Sequence, residues 1–175
     1  PGSALSEVEK ICEDTDDLAS VTLGNRHLLF EVGATQLICR RLEGEFLDYK
    51  TAIPRANPIA LTVDTKSLIA SIERVGVVIS DKQKSPVRCV FGEDRVSLSA
   101  KTANGEARDV CGLSGDGKNL EIGFNNRYLL EALKYCPADT VRMELNTGIS
   151  PCIIVPLEGE ENFLYMVLPV RLKNS

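Results

Sequence analysis

The sequence contains no tryptophan, a single histidine (His27), two methionines and only 5% aromatic residues. A chain so poor in imidazole has little from which to build a general base or a zinc centre. CxxC pairs are also missing. The six cysteines (Cys12, Cys39, Cys89, Cys111, Cys136, Cys152) lie far apart inside apolar-patterned segments. That suits small buried hydrophobes in a reducing cytosol better than a disulfide framework, and a cytoplasmic location is expected. No apolar run approaches the roughly 18 residues of a membrane span, and no signal-peptide pattern opens the sequence, so no membrane partner is expected. Positive charge is in deficit: 20 Lys and Arg face 25 Asp and Glu, for a net charge of −5. This argues against holding nucleic acid by bulk attraction. A phosphate-cradling loop is missing as well, since Gly115-Asp116-Gly117 precedes an apolar strand pattern rather than a helix.

What the chain does have is 175 residues, 43% of them apolar and 26% charged, enough for one or two small globular domains. Its organising stretch is Glu43 to Pro54, which is neither helix-periodic nor cleanly alternating and ends in Ile53-Pro54-Arg55-Ala56-Asn57-Pro58. Prolines push their predecessors toward extended backbone, so this segment is expected to be an extended strap between two packed units, pinned by Phe46 and Tyr49. The domains expected are 1–54 and 55–175.

Before the strap, Leu5, Val8, Ile11 and Cys12 recur at helical spacing, and the polar run Asp14 to Asp17 ends that helix. Alternating segments around Val21 and Leu23, Leu28 to Val32, and Thr35 to Leu42 then predict three antiparallel strands. After the strap, Ile59 to Val63 reads as a strand. Asp64 or Thr65 caps a helix with Leu68, Ile72, Val75 and Ile79 on its apolar face. A polar loop at 81–85 follows. Val87 to Phe91 and Val96 to Ala100 alternate, Asn104-Gly105 is the turn pair of a tight hairpin, and 106–113 returns. The segment Ser114 to Gly117 reads as a flexible loop. The pattern then repeats: strand Leu120 to Phe124, a helix capped by Asn125 with Leu129, Ala132, Leu133 and Cys136 inward, and strands at 141–145, 152–155 and 163–168. An acidic loop at 158–161 joins the last two.

The order is therefore helix-β-β-β, then β-helix-β-β-β twice, with helix landmarks Leu5, Leu68 and Leu129 spaced 63 and 61 residues apart. This predicts an α+β fold of duplicated β-α-β-β-β units with helices against antiparallel sheets, the first copy lacking its leading strand. The chain is expected to be a fragment.

A catalytic alternative, a small α+β cysteine-dependent hydrolase or transferase, has to use His27 with Cys39 or Ser99. The acidic pairs Asp16-Asp17, Glu93-Asp94 and Glu160-Glu161 fall in loops, as solvated charge does. No metal or cofactor is expected.

The strap Glu43-Gly44-Glu45-Phe46-Leu47-Asp48-Tyr49 with Ile53-Pro54, the segment Glu121 to Asn125 with Tyr128-Leu129, and the ending Tyr165 to Leu172 together carry a likeness. They resemble the bacterial sliding clamp family, the beta subunit of DNA polymerase III, from the second half of its middle domain to its C-terminus. The resemblance implies a homodimeric ring around duplex DNA that tethers the replicative polymerase and has no active site of its own. It implies as partners duplex DNA held without regard to sequence, the DNA polymerase III catalytic subunit, the clamp loader and other proteins bearing the clamp-binding motif. It implies an apolar peptide groove at Leu47, Thr51, Ala52, Tyr128, Ile149, Pro151, Met166, Val167, Leu168, Pro169, Val170, Arg171 and Leu172. It implies DNA-facing cations at Lys10, Lys66, Arg74, Arg127 and Lys134. A subunit interface is implied at Val78 and Ile79, with Phe91, Val96 and Leu98. This chain, without the complementary first domain, is expected to be a monomer or a non-native pair.

Overall fold

Asp64 stands where an alternating strand gives way to a helix-periodic run, and its carboxylate accepts the Ser67 N–H at 2.7 Å. That bond satisfies one of the orphan donors of the first turn, so the helix starts there rather than fraying. Asn125 does the same for the helix that begins at Asn126, accepting from the Arg127 N–H at 3.0 Å. Between and around these two starts the computed structural model describes every residue except 13–15, 17, 55, 81–84, 160–161 and 173–175. Much of the expected polar run 14–17, the loop 81–85 and the end of the acidic loop 158–161 lies outside the described residues.

The chain divides into two units, Pro1–Asp48 and Tyr49–Ser175. The first holds α1 (Gly2–Cys12), β1 (Ala19–Leu23), β2 (His27–Val32) and β3 (Thr35–Arg40), in a three-stranded antiparallel sheet of order β1-β2-β3. Helix α1 lies against β2 and β3 but buries none of its own residues, and Leu5 is 60% exposed. Among the described residues only Phe30 and Val32 are buried here, and all five residues of β1 are exposed.

The strap is not extended throughout. Tyr49–Ala52 forms one helical turn, α2, closed by the Ile53 N–H to the Tyr49 carbonyl at 3.0 Å. Of its aromatics, Phe46 is 88% exposed and Tyr49 half exposed. The prolines constrain only their own predecessors, which leaves the four residues before Ile53 free to coil.

The second unit is built from β4 (Ile59–Asp64), α3 (Thr65–Gly76), β5 (Val87–Phe91), β6 (Arg95–Thr102) and β7 (Gly105–Gly112), followed by β8 (Leu120–Phe124), α4 (Asn126–Lys134), β9 (Thr140–Leu145), β10 (Cys152–Pro156), β11 (Tyr165–Val167) and β12 (Pro169–Val170). Its two antiparallel sheets have orders β11-β10-β9-β4 and β12-β8-β5-β6-β7. The leading strand of each copy therefore joins the other copy's sheet. β4 pairs with β9 from Ile59↔Leu145 to Asp64↔Thr140, and β8 pairs with β5 from Val87↔Phe124 to Phe91↔Leu120. Leu61, Leu68, Ile72, Val75, Phe91, Leu98, Ile122, Phe124, Leu129, Leu133, Val141 and Ile154 fill one core, each at most 2% exposed.

Three local expectations are corrected. The β6–β7 hairpin turns on Ala103-Asn104, with Gly105 opening β7 at φ +142°, a left-handed backbone that glycine adopts freely. The segment 114–117 is tied down: Ser114 and Thr62 exchange backbone bonds of 2.8 and 2.9 Å, and the Gly117 N–H donates to the Gly92 carbonyl at 2.8 Å. A side chain at Gly117 would sit 2.5 Å from Phe91, so only hydrogen fits. The last expected strand, 163–168, narrows to β11 beside β10, and a further strand that the pattern did not mark, β12, follows it on the other sheet beside β8.

Ile72→Ala is expected to cost about 2–5 kcal/mol in urea unfolding, as a fully buried side chain, whereas Leu5→Ala should stay within about 0.5 kcal/mol. A second expectation concerns acid. Hydrogen bonds from Ser67, side chain first and backbone second, hold the Asp64 carboxyl below its usual range. A depressed carboxyl stabilises the fold fully above its unfolded value, and the effect fades as pH falls through the folded one. Asp64→Ala should thus lower the unfolding midpoint at pH 7, and the gap from the parent chain should close under strong acid.

Candidate functional site

The C-terminal tail crosses from one sheet to the other. Val167, the last residue of β11, is paired with Cys152 and only 2% exposed, while Pro169 and Val170 pair with Phe124 and Gly123 of β8. Leu168, at the crossing, is held out of both sheets and is 62% exposed. Pro169 lacks an N–H, which an edge strand such as β12 tolerates.

Strand β8 carries the rest of the neighbourhood. It runs through Phe124 and the Asn125 cap into α4, whose third residue, Tyr128, is 53% exposed. The Arg127 guanidinium lies 5.9 Å from the Tyr128 ring centroid, within range of a cation–π contact, and bonds Glu131 at 3.0 Å. The turn after β9 is stitched by Thr147 and Ser150, whose hydroxyls are 2.7 Å apart, and it presents Ile149 at 74% exposure. Gly148 of that turn abuts the Glu121 carbonyl.

Of the expected groove residues in the tail, Pro169 and Val170 thus pair with β8 and Leu172 lies beside Gly123 of that strand, while Met166 pairs with Ile153 of β10; the turn bearing Ile149 and Pro151 touches β8 through Gly148. Val167 does not belong to that surface. Its side chain fills the core, because it occupies the inward position of β11. Leu47, Thr51 and Ala52 are exposed, Leu47 in the first unit and the other two on α2.

The five expected DNA-facing cations all lie on helices and all have acidic partners. Lys10 pairs with Glu7 at 2.8 Å, Lys66 with Asp139 at 3.0 Å, Arg127 with Glu131, and Lys134 with Glu73 at 2.6 Å across the α3–α4 seam. Arg74 reaches from α3 to Asp109 of β7 at 2.7 Å and to Ser71 at 3.0 Å. It therefore braces helix to sheet. Burial works to raise the Asp109 carboxyl, but bonds from the Val110 N–H and Arg74 outweigh it and hold it low.

Three of the expected interface residues are corrected. Phe91, Val96 and Leu98 are each 1% exposed, on the inward face of β5 and β6, and their side chains offer nothing to a partner. Val78 and Ile79 are half-buried against the core, Val78 held by its carbonyl accepting from the Thr102 hydroxyl at 3.0 Å. The exposed apolar residues nearby are Val77, at 82%, and Val110, at 54%, on the edge strand β7. The alternating pattern of 106–113 marked β7 as a strand but could not mark it as an edge.

A profile of the family described as DNA polymerase III beta subunit, C-terminal domain, matches residues 50–171. The chain belongs to the DNA polymerase III beta subunit family. The beta sliding clamp of Synechocystis sp. is 33% identical over 179 residues, covering 99% of this chain and 45% of that protein. The chain thus spans less than half the length of this relative. Among solved structures, Caulobacter crescentus pol III beta superposes with a TM-score of 0.85 at 26% identity, over 98% of this chain and 46% of that one. A sliding clamp from Bartonella birtlesii bound to griselimycin gives 0.84 at 26% identity, with the same coverage.

Membership of the clamp family leaves the cysteine-enzyme alternative without support, and the geometry agrees. His27 pairs with Arg40 while Cys39 pairs with Leu28, so the two alternate onto opposite faces of the β2–β3 ribbon. Burial pushes the Cys89 thiol up to about 12 and raises Cys152 further, which suppresses their thiolates. Under native conditions iodoacetamide is expected to label Cys12 and Cys39 while sparing Cys89 and Cys152 until denaturant is added. Mass spectrometry of tryptic peptides checks this. Among the described residues no group of three or more metal-ligating side chains comes together, and no helix is long and apolar enough to cross a membrane.

Proposed function

We propose that this chain is the C-terminal part of a ring-shaped, homodimeric sliding clamp that encircles duplex DNA, confers processivity on a replicative polymerase and docks partner peptides on its tail. The observation that carries the reading is the sheet-switching tail. It leaves Leu168 standing out between two anchored neighbours, in reach of the strand that leads to Tyr128. A small apolar anchor set of this kind, rimmed by Arg171, suits short extended peptides with hydrophobic side chains. Half-buried Met166 adds a side chain able to repack around varied ligands. The griselimycin complex of the Bartonella clamp supports a ligand-accepting surface in this family. The polymerase, the clamp loader and other proteins carrying the docking motif are the partners this implies.

Charge supports an encircling rather than an adhesive role. With a net charge of −5 and its helix cations matched by local acids, the chain holds no dense basic surface among the described residues. A closed ring needs none, because topology supplies the effective concentration that contacts would otherwise supply. The edge strand β7, with Val110 and the neighbouring Val77, is the surface we assign to subunit pairing.

Titration of the chain with a fluorescein-labelled peptide copied from the clamp-binding segment of a replicative polymerase tests the docking reading. Saturable binding that weakens by on the order of tenfold in Leu168→Ala is expected, as for loss of a central anchor. Equal binding by both chains would refute it.

A further inference from the structure

Strand β8 is flanked on one side by β5 along its whole length, but the other side is covered in two pieces. β12 covers Gly123 and Phe124, and the Thr147–Ser150 turn covers Glu121. Glu121 and Gly123 are two residues apart, about 7 Å along a strand. The turn that presents Ile149 and the tail that presents Leu168 and Val170 are therefore spaced by a single strand. At both points of contact the residue is glycine. A Cβ on Gly123 would lie 2.6 Å from the Val170 carbonyl oxygen and 2.7 Å from Leu172, and one on Gly148 would lie 2.6 Å from the Glu121 carbonyl. Neither glycine has a positive φ, so each is required for closeness and not for its conformation.

A clash at these points must be relieved by movement, and the constraints decide what moves. β8 is locked by five residue pairs to β5 and by Ile122 and Phe124, both 0% exposed. β12 is held by two pairs, and the turn chiefly by bonds within itself. The tail and the turn would move, carrying the docking side chains with them.

We propose that Gly123 and Gly148 are positioning residues of the peptide site, setting the distance of its two walls from β8 and hence the spacing into which an apolar peptide side chain fits. This rests on the docking reading above and deepens it. Four variants separate the two: Gly123→Ala, Gly148→Ala, Leu168→Ala, and the control Gly2→Ala, where an added Cβ meets nothing within 4 Å. Binding of the labelled polymerase-derived peptide is read beside melting temperature and backbone amide shifts. Gly2→Ala should bind as the parent chain does. Each of the other two glycine variants should lose on the order of tenfold in affinity, as expected for anchors displaced by a fraction of an ångström or more. Their melting temperatures should stay near that of the parent, and their shift changes, apart from those at the substituted residue and its immediate neighbours, should be confined to 146–151 and 168–172. Should Gly123→Ala fail to fold, Gly148→Ala, which alters only a surface turn, decides alone. If both glycine variants bind like the parent while Leu168→Ala does not, the inference is wrong and the docking reading stands. If affinity falls only in step with the folded fraction, with shift changes spread through β5 and β6, the glycines serve general packing and the inference is again wrong. If the parent does not bind, or Leu168→Ala binds equally, the docking reading falls and takes this inference with it.

Discussion

The second unit depends on an exchange: each β-α-β-β-β copy gives its first strand to the sheet of the other. β4 completes the sheet of β9, β10 and β11, while β8 completes the sheet of β5, β6 and β7. Neither copy can bury its own apolar faces without the other, which makes one continuous core out of two sequence repeats. The same exchange fixes the closures at the sheet borders. Ser114 leaves β7 and bonds Thr62 of β4 on one side, while β11 runs into β12 on the other. The first unit shows the converse. Its three strands have no leading strand from another copy among the described residues, and β1, the counterpart of β5 and β9, is exposed at every position.

Electrostatics follows the same economy. Lys66, Arg127 and Lys134 are exposed and matched to acids on or beside the helices, where an ion pair in water holds only weakly. Such pairs open readily, so the helix surface neither repels a phosphate strongly nor grips it. On the reading proposed above, a ring that travels along duplex DNA would gain from that indifference, since each strong phosphate contact would have to be broken at every step. Arg74 differs because its partner Asp109 is itself partly shielded and bonded to the Val110 N–H. It contributes to holding β7 on α3, and so to the stiffness of the edge through which we assign pairing.

Element types were legible because each rests on a local period: the caps Asp64 and Asn125, the stripe Leu68-Ile72-Val75, and the alternation of Val87, Cys89 and Phe91 all read directly from the chain. The duplication was legible for the same reason. Partnership between strands was not. Nothing in Leu120 to Phe124 says that it pairs with β5, and so nothing says that Phe91, Val96 and Leu98 face a shared core rather than a partner. Val167 was misplaced on similar grounds, since a run of apolar residues does not reveal where a chain changes sheets. The strap erred in the opposite direction: its prolines are real constraints, but they act on one residue each, and the turn Tyr49–Ala52 lay beyond their reach.

The sheet change at Leu168 joins fold and site in one device. A side chain in the middle of a strand alternates into the core or out to solvent, with its neighbours facing the other way. By ending β11 at Val167 and beginning β12 at Pro169, the chain frees one residue from that alternation while anchoring both sides of it, one on each sheet. Leu168 is thereby displayed without being loose, and on the docking reading proposed above an anchor ordered in advance would lose little entropy when a partner closes on it. Such a site needs no deep cavity. It needs two sheets brought close enough for a short tail to reach both, which the exchanged strands provide, and a strand bare enough of side chains at Gly123 for the tail to lie down on it.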